Sequence, residues 1–266
     1  MPPVKFTCVC GSIWLAGGGG KGGGARRVGT LPGLGKLADM TDVDLIDALR
    51  AISSAEAREG VAKFFKGDDA GTQIMGVPIG RVFPVAKRFI DLDLGAIERL
   101  LDDPHYEVRM AAVSVMEFQA RKTRLPADQR KALFDLYLRR HDRINNWDLV
   151  DRAAPFVVGE YLVDKDRGVL DQLARSANPY ERRTSIVATY AFIKRGEVAD
   201  TFRIASVLAD DQDAYVQKAI ASWTREAGKR DQKALIDFLT HNRDRLRKST
   251  ITQASKHLPD AVRKAL

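Results

Sequence analysis

From Met40 onward, apolar residues recur at steps of three and four. DLIDALRAI, LGAIERLLDD, YEVRMAAVSVMEFQARK, QRKALFDLYLRRH, GVLDQLARSA and KALIDFLTHNRDRLRK all carry this period. On an α-helix that spacing gathers the apolar side chains on one face. No convincing run alternates in the manner of a strand. Breaks fall at Gly67, Asp103-Pro104, Pro126, Asn178-Pro179, Gly196 and Gly228, where helix-stop chemistry is expected. The pattern predicts an all-α chain.

Stacking the helix starts reveals a repeat. DPHYEVRMAAV carries Tyr106 and Arg109, NPYERRTSIV carries Tyr180 and Arg183, and DAYVQKAIAS carries Tyr215 and Lys218. The shared frame is an aromatic, two variable residues, then a base. Trp147 takes the aromatic slot of a fourth unit, with Val150 in the basic one. The aromatic positions step by 41, 33 and 35 residues. Periods of this size predict a right-handed solenoid of HEAT- or armadillo-like helix pairs with a concave face. Equivalent positions then line up along that face, which places Trp147, Arg183 and the 215–223 helix near one another.

The first 39 residues break the pattern. GGGGKGGG and GTLPGLGK have almost no period, and residues 1–39 are expected to form a disordered leader. Neither glycine cluster has phosphate-loop spacing. VKFTCVCGSIWLAG is too short and broken for a secretory signal. Both cysteines, Cys8 and Cys10, lie here, one residue apart, which disfavours an intramolecular disulfide. The expected folded domain is 40–266, cysteine-free, and Met40 is a candidate start.

Charge then narrows the partner. The chain carries a net charge of +8, and a basic balance leans toward an anionic partner such as nucleic acid. Five cations and Asp39 give the leader half of that excess. The C-terminal third adds Lys218, Arg225, Lys229, Arg230, Arg243, Arg245, Arg247 and Lys248. This segment is either a wall for DNA phosphates or a solvated face. No run of 18 apolar residues occurs, so no membrane span is expected. The histidines show no metal-ligand spacing, and no nucleophile elbow or dinucleotide fingerprint appears. No metal or cofactor is expected.

The stretch NNWDLVD, Asn145 to Asp151, gathers the candidate chemistry. Asn145 or Asn146 fits an N-cap, with Asp148 in the dipole-favoured first turn. Trp147 and Asp151, four residues apart, share a helix face. A carboxylate beside a large ring can be desolvated and can meet a flat or sugar-like ligand. The alternative is that Trp147 packs between repeats and Asp151 pairs with an arginine of the next unit. Arg182 and Arg183 point about 100° apart on a helix, and the repeat frame selects Arg183. That guanidinium can grip a phosphate or staple Asp151 to the neighbouring repeat.

VAKFFKG, MGVPIGRV, HYEVRMAAV, INNWDLVDRAAPFVVGEYL, NPYERRTSIVATYAFIKRG and YVQKAIASWTREAGKRD together resemble the DNA alkylation repair family, the AlkD-like DNA glycosylases built from HEAT-like repeats. The resemblance runs from about Met40 to about Asp237. It implies hydrolysis of the N-glycosidic bond of cationic alkylated purines, of the 3-methyladenine and 7-methylguanine type, in double-stranded DNA without base flipping. By position it implies Asp151 as the catalytic carboxylate, Trp147 as an aromatic wall and Arg183 as a phosphate-contacting residue. Lys218, Arg225, Lys229 and Arg230 are the further expected DNA contacts. Two positions depart from the family. Ser222 stands where its second tryptophan falls, with Trp223 one residue later, and Phe64 replaces a tyrosine. Phe64, Ser222 and Trp223 are the expected substrate pocket. A monomer, cytoplasmic and held at the nucleoid through DNA, is the corresponding expectation. Two other functions remain open: a repeat protein that binds damaged or distorted DNA with little excision, and a protein-interaction scaffold.

Overall fold

The computed structural model of the chain describes residues 40–67 and 69–266. The expected leader, with Cys8 and Cys10, lies outside the described residues. The chain forms α1 (Asp42–Arg50), α2 (Ala55–Ala62), α3 (Ile79–Arg88), α4 (Leu94–Asp102), α5 (Tyr106–Ala120), α6 (Ala127–Arg139), α7 (Trp147–Ala154), α8 (Gly168–Ala174), α9 (Pro179–Val187), α10 (Tyr190–Ile193), α11 (Ala199–Val207), α12 (Ala214–Gly228), α13 (Gln232–His241), α14 (Lys248–Ala254) and α15 (Asp260–Ala265). Among the described residues there is no strand, only an isolated bridge between Gln73 and His105.

Local chemistry sets many of the helix starts. Thr41 and Asp44 form a reciprocal capping box on α1. The side chains of Ser54, Asp93, Asn178, Asp213 and Asp231 accept from first-turn amides of α2, α4, α9, α12 and α13. Each such cap is worth about 1 kcal/mol. Pro179 at the first position of α9 already has the helical φ and lacks an N–H that would have no partner there.

Helices α3, α5, α7, α9, α12 and α14 pack in succession, each against the next. Tyr106, Val108, Leu149, Val150, Ile186 and Ile220 fill the seams, all fully buried. Past α7, Pro155 supplies no N–H, and the helix widens into a π-helical turn through Gly159. Glu160 N–H donates to the Pro155 carbonyl at 3.2 Å. Gly159 is needed for packing, since a Cβ there would lie 2.2 Å from the Ala188 carbonyl oxygen.

The repeat is present, but its register shifts. Arg109 donates to the carbonyls of Asp103 and Pro104 at 3.0 and 3.1 Å. Arg182, not Arg183, does the same to Ser176 and Ala177 at 3.0 and 2.9 Å. Gln217 bonds the Ala209 and Asp211 carbonyls, both at 3.0 Å. All three occupy the fourth position of α5, α9 and α12, folding back to tie the preceding loop. The first residues of the aligned helices are therefore Tyr106, Trp147, Pro179 and Ala214. The aromatic frame read from sequence is off by one beyond α7. In the corrected register Asp151, Arg183 and Lys218 are equivalent fifth positions. A second correction concerns KALIDFLTHNRDRLRK, which is not one helix. It breaks after His241, where the Asn242 amide bonds Phe238 O at 3.0 Å and Ser206 Oγ at 3.3 Å.

Candidate functional site

The first turn of α7 sorts its side chains by helix face. Trp147 and Asp151 look toward α9, and Asp148 looks toward α5. The Arg183 guanidinium grips Asp151 with two bonds, Nε to Oδ1 at 2.9 Å and Nη2 to Oδ2 at 2.8 Å. Arg183 Nη1 also donates to the Tyr215 carbonyl of α12. One arginine thus joins three successive helices. Its side chain is 5% exposed and that of Asp151 18%, so the carboxylate keeps an edge toward solvent. The pairing is the inter-repeat ion pair that sequence reasoning held open, and the fork fixes the carboxylate plane.

Rings frame that edge. Trp147 and Tyr215 are stacked nearly parallel, with centroids 6.1 Å apart and planes at 7°. Lys218 Nζ lies 4.6 Å from the Tyr215 centroid and the Arg183 guanidinium carbon 5.9 Å from that of Trp147. Trp147 is 3% exposed. Beneath Arg183, the buried Thr184 hydroxyl bonds Tyr137 Oη at 3.0 Å and His141 Nε2 at 2.8 Å. Burial pulls the His141 imidazole down to about 4, so this floor is neutral.

On the neighbouring face, toward α5, Tyr106 Oη donates to Asp148 Oδ2. Asn146 Nδ2 donates to Asp148 Oδ1 at 2.6 Å. Burial pushes the Asp148 carboxyl up to about 7, against the lowering pull of these two bonds, and the Asp151 charge adds to the rise. Burial likewise drives the Tyr106 phenol well above its ordinary value. Asp148 does lie in the first turn, as expected from sequence, but it is buried and its carboxyl is raised toward neutrality. Asn146 does hold the N-cap position, but its side chain does not cap the helix. It spans instead to the segment before α3, accepting from Lys66 N–H at 2.9 Å and donating to Phe64 O at 3.1 Å.

The family model described as DNA alkylation repair enzyme matches residues 45–258. The chain belongs to this DNA alkylation repair family. A solved structure, described as a predicted DNA alkylation repair enzyme from Enterococcus faecalis, shares the fold. Its TM-score is 0.59 at 13% identity, covering 78% of this chain and 97% of that one. A comparison with curated protein sequences returns no match. Membership gives the chain a role in the repair of alkylated DNA, with DNA as the implied substrate. No described helix is long and apolar enough to cross a membrane.

Within this DNA alkylation repair protein, the structure brings Trp147, Asp151, Arg183 and Lys218 together. Ser222 is half-buried farther along α12. The Trp223 ring packs against Tyr190, centroids 5.2 Å apart, and the ring stacked on Trp147 is Tyr215. Phe64 is 41% exposed. Of the basic wall, Arg225 bonds Gln253 O at 3.3 Å and Lys229 pairs with Glu226 at 2.6 Å. Arg230 is exposed. Arg245 is bound to Asp210 at 3.0 Å, and Arg247 to the Gln212 carbonyl. Sequence reasoning missed Tyr215 as a site ring. Its signal was present in the repeat frame, hidden by the one-residue slip.

Proposed function

We propose that the protein is a DNA glycosylase that hydrolyses the N-glycosidic bond of cationic alkylated purines in duplex DNA without flipping the base. The observation that carries this reading is the Asp151 carboxylate, held rigid by Arg183 and open at one edge beside Trp147. In this reading the row α3–α5–α7–α9–α12–α14 forms the concave face of a right-handed solenoid on which the duplex lies.

A cationic purine leaves as a neutral base, so no general acid is needed. As the bond from C1′ to the ring nitrogen breaks, positive charge develops on the deoxyribose. A carboxylate already oriented by a guanidinium stabilises that charge without reorganising. Beside the Arg183 fork, the partly exposed carboxylate accepts a hydrogen bond from the water that attacks C1′ and takes its proton as the C1′–O bond forms, releasing it to solvent afterwards. The half-buried Tyr215 ring favours the sugar cation by an interaction of cation–π type, with the buried Trp147 ring packed beside it. Arg183, engaged with Asp151 and the Tyr215 carbonyl, orients the carboxylate, while Lys218, Arg225, Lys229 and Arg230 draw the phosphate backbone. Phe64 and the Ser222–Trp223 pair complete the pocket rim.

A second reading is binding of damaged duplex without excision. It is favoured by the engagement of both Asp151 oxygens with Arg183 and by the packing of Trp223 on Tyr190. A base-release assay on duplex containing 7-methylguanine, run beside Asp151→Asn and a binding measurement, separates the two. Release lost in the variant with binding kept supports excision. Salt-sensitive binding by the wild type with no product supports the second reading. Equal release by both proteins removes Asp151 from the chemistry.

A further inference from the structure

Phe64 is unusual among the described residues. It and Val43 are the large apolar side chains left well exposed. Its neighbour Phe65 turns the other way and packs on Tyr106, ring centroids 5.6 Å apart. Lys63 and Lys66, on either side, are both exposed, and Lys63 pairs with Glu59 at 3.3 Å across the solvated surface. The segment thus presents a ring between two cations, a combination that suits nucleic acid better than solvent.

Asn146 ties this arm to the site by hydrogen bonds. Asn146 accepts from Lys66 N–H, donates to Phe64 O, and donates again to Asp148, which Tyr106 also binds. Both amide hydrogens and the amide oxygen are therefore used. The seam continues through Asn145, whose Nδ2 donates to Asp69 at 3.1 Å. Gly67 lets the two segments touch, since a Cβ there would lie 2.6 Å from the Asn145 carbonyl oxygen. Trp147 follows Asn146 directly, so the residue that grips the arm also begins the helix carrying the site.

We propose that Asn146 is a positioning residue that fixes the Phe64 arm to the first turn of α7, so that Phe64 and the Trp147–Asp151 face meet duplex DNA as one rigid surface. The proposal rests on DNA recognition by this face, as in the glycosylase reading, but not on excision. Asp148 and Tyr106 back the amide from within, which keeps it from turning. Without Asn146 the arm keeps its ring and its lysines but loses its place.

A double-mutant cycle tests this in the full chain, using the affinity for duplex DNA containing a single 7-methylguanine. Phe64→Ala is expected to weaken binding about fivefold, as for a contributing interface ring. Asn146→Ala is expected to weaken it by a similar factor, and the double variant no further. Amide exchange at Lys66 should accelerate in Asn146→Ala and stay unchanged in Phe64→Ala. Multiplicative losses in the double variant, or wild-type affinity in Phe64→Ala, would overturn the proposal. If Asn146→Ala does not fold, Asn146→Ser removes the amide that reaches Lys66 and Phe64 while keeping a small polar side chain at the N-cap position, and the same outcomes apply. Absence of released base from the wild type would remove the glycosylase reading while the cycle still reports on Asn146.

Discussion

Asp148 and Asp151 lie one turn apart on α7, with the same side chain and the same helix beneath them. Asp148 faces α5, where a phenol and an amide are its partners and burial raises its carboxyl to about 7. Asp151 faces α9, where a guanidinium meets both oxygens and the edge of the carboxylate reaches solvent. Neutral partners leave a buried acid near neutrality, whereas a cation sustains a charge. The difference teaches that a carboxylate's chemistry here is set by the neighbouring helix.

The sharpest break of the comparison is chemical. Asp151→Asn is expected to lower single-turnover base release by about 10²- to 10³-fold, the cost typical of losing one preorganised electrostatic group. Duplex affinity should stay within about threefold, well below the loss of an interface hot spot. A variant that binds normally and releases base at the wild-type rate would put both carboxylates in structural roles.

Asp148→Ala should act on stability. It leaves the Tyr106 hydroxyl and one Asn146 hydrogen buried without an acceptor, at a cost of about 2–3 kcal/mol. Urea denaturation measures it, and a loss below about 0.5 kcal/mol, the range of ordinary surface changes, would mean the network does not hold.

The third test uses pH. Asp148, raised from 3.8 to about 7, stays protonated in the folded state while the unfolded state ionises. Its contribution is fully present below its unfolded value and is lost as pH rises through the folded one. His141, lowered from 6.5 to about 4, works in the opposite direction. Its stabilisation is fully present above its unfolded value and is lost as pH falls toward its folded one. Between about pH 4 and 6.5 the two slopes oppose each other and largely cancel. Asp148→Asn should expose the histidine alone, so that stability rises with pH by about 1.4 kcal/mol per unit in that window. Wild type and variant with parallel profiles would deny Asp148 its neutral state.

The smallest expected effect lies at the third equivalent position. Lys218→Gln should reduce the slope of log affinity against log salt by about 0.9, one phosphate contact, with only a few-fold loss of binding. Lys229→Gln should change it less, because Lys229 already pairs with Glu226. Equal slopes for Lys218→Gln and wild type would take Lys218 off the phosphate path.

Much of the molecule is legible in its sequence. Helix periods, breaks at Asp103-Pro104 and Asn178-Pro179, and the pairing of Trp147 with Asp151 are local features with short-range causes. The stack of Tyr215 on Trp147 is not legible there, because the aromatic is the first residue of α7 but the second of α12, and which ring it meets depends on how the helices pack. Nor is the fate of Asn146, which has the look of an ordinary N-cap although a segment 80 residues earlier in the chain uses its side chain.

The sequence by itself determined that the chain is helical, that its helix starts recur in a shared frame, and that an aromatic and a carboxylate one turn apart share a face of one helix. Those properties depend on neighbours within a few residues, where spacing is geometry. Only the tertiary structure decided which carboxylate is buried among neutral partners, which is held by an arginine, and which ring stands beside it. Those properties depend on burial and on partners from other helices, 32 residues away for Arg183 and 42 for Tyr106, and no local spacing encodes such distances.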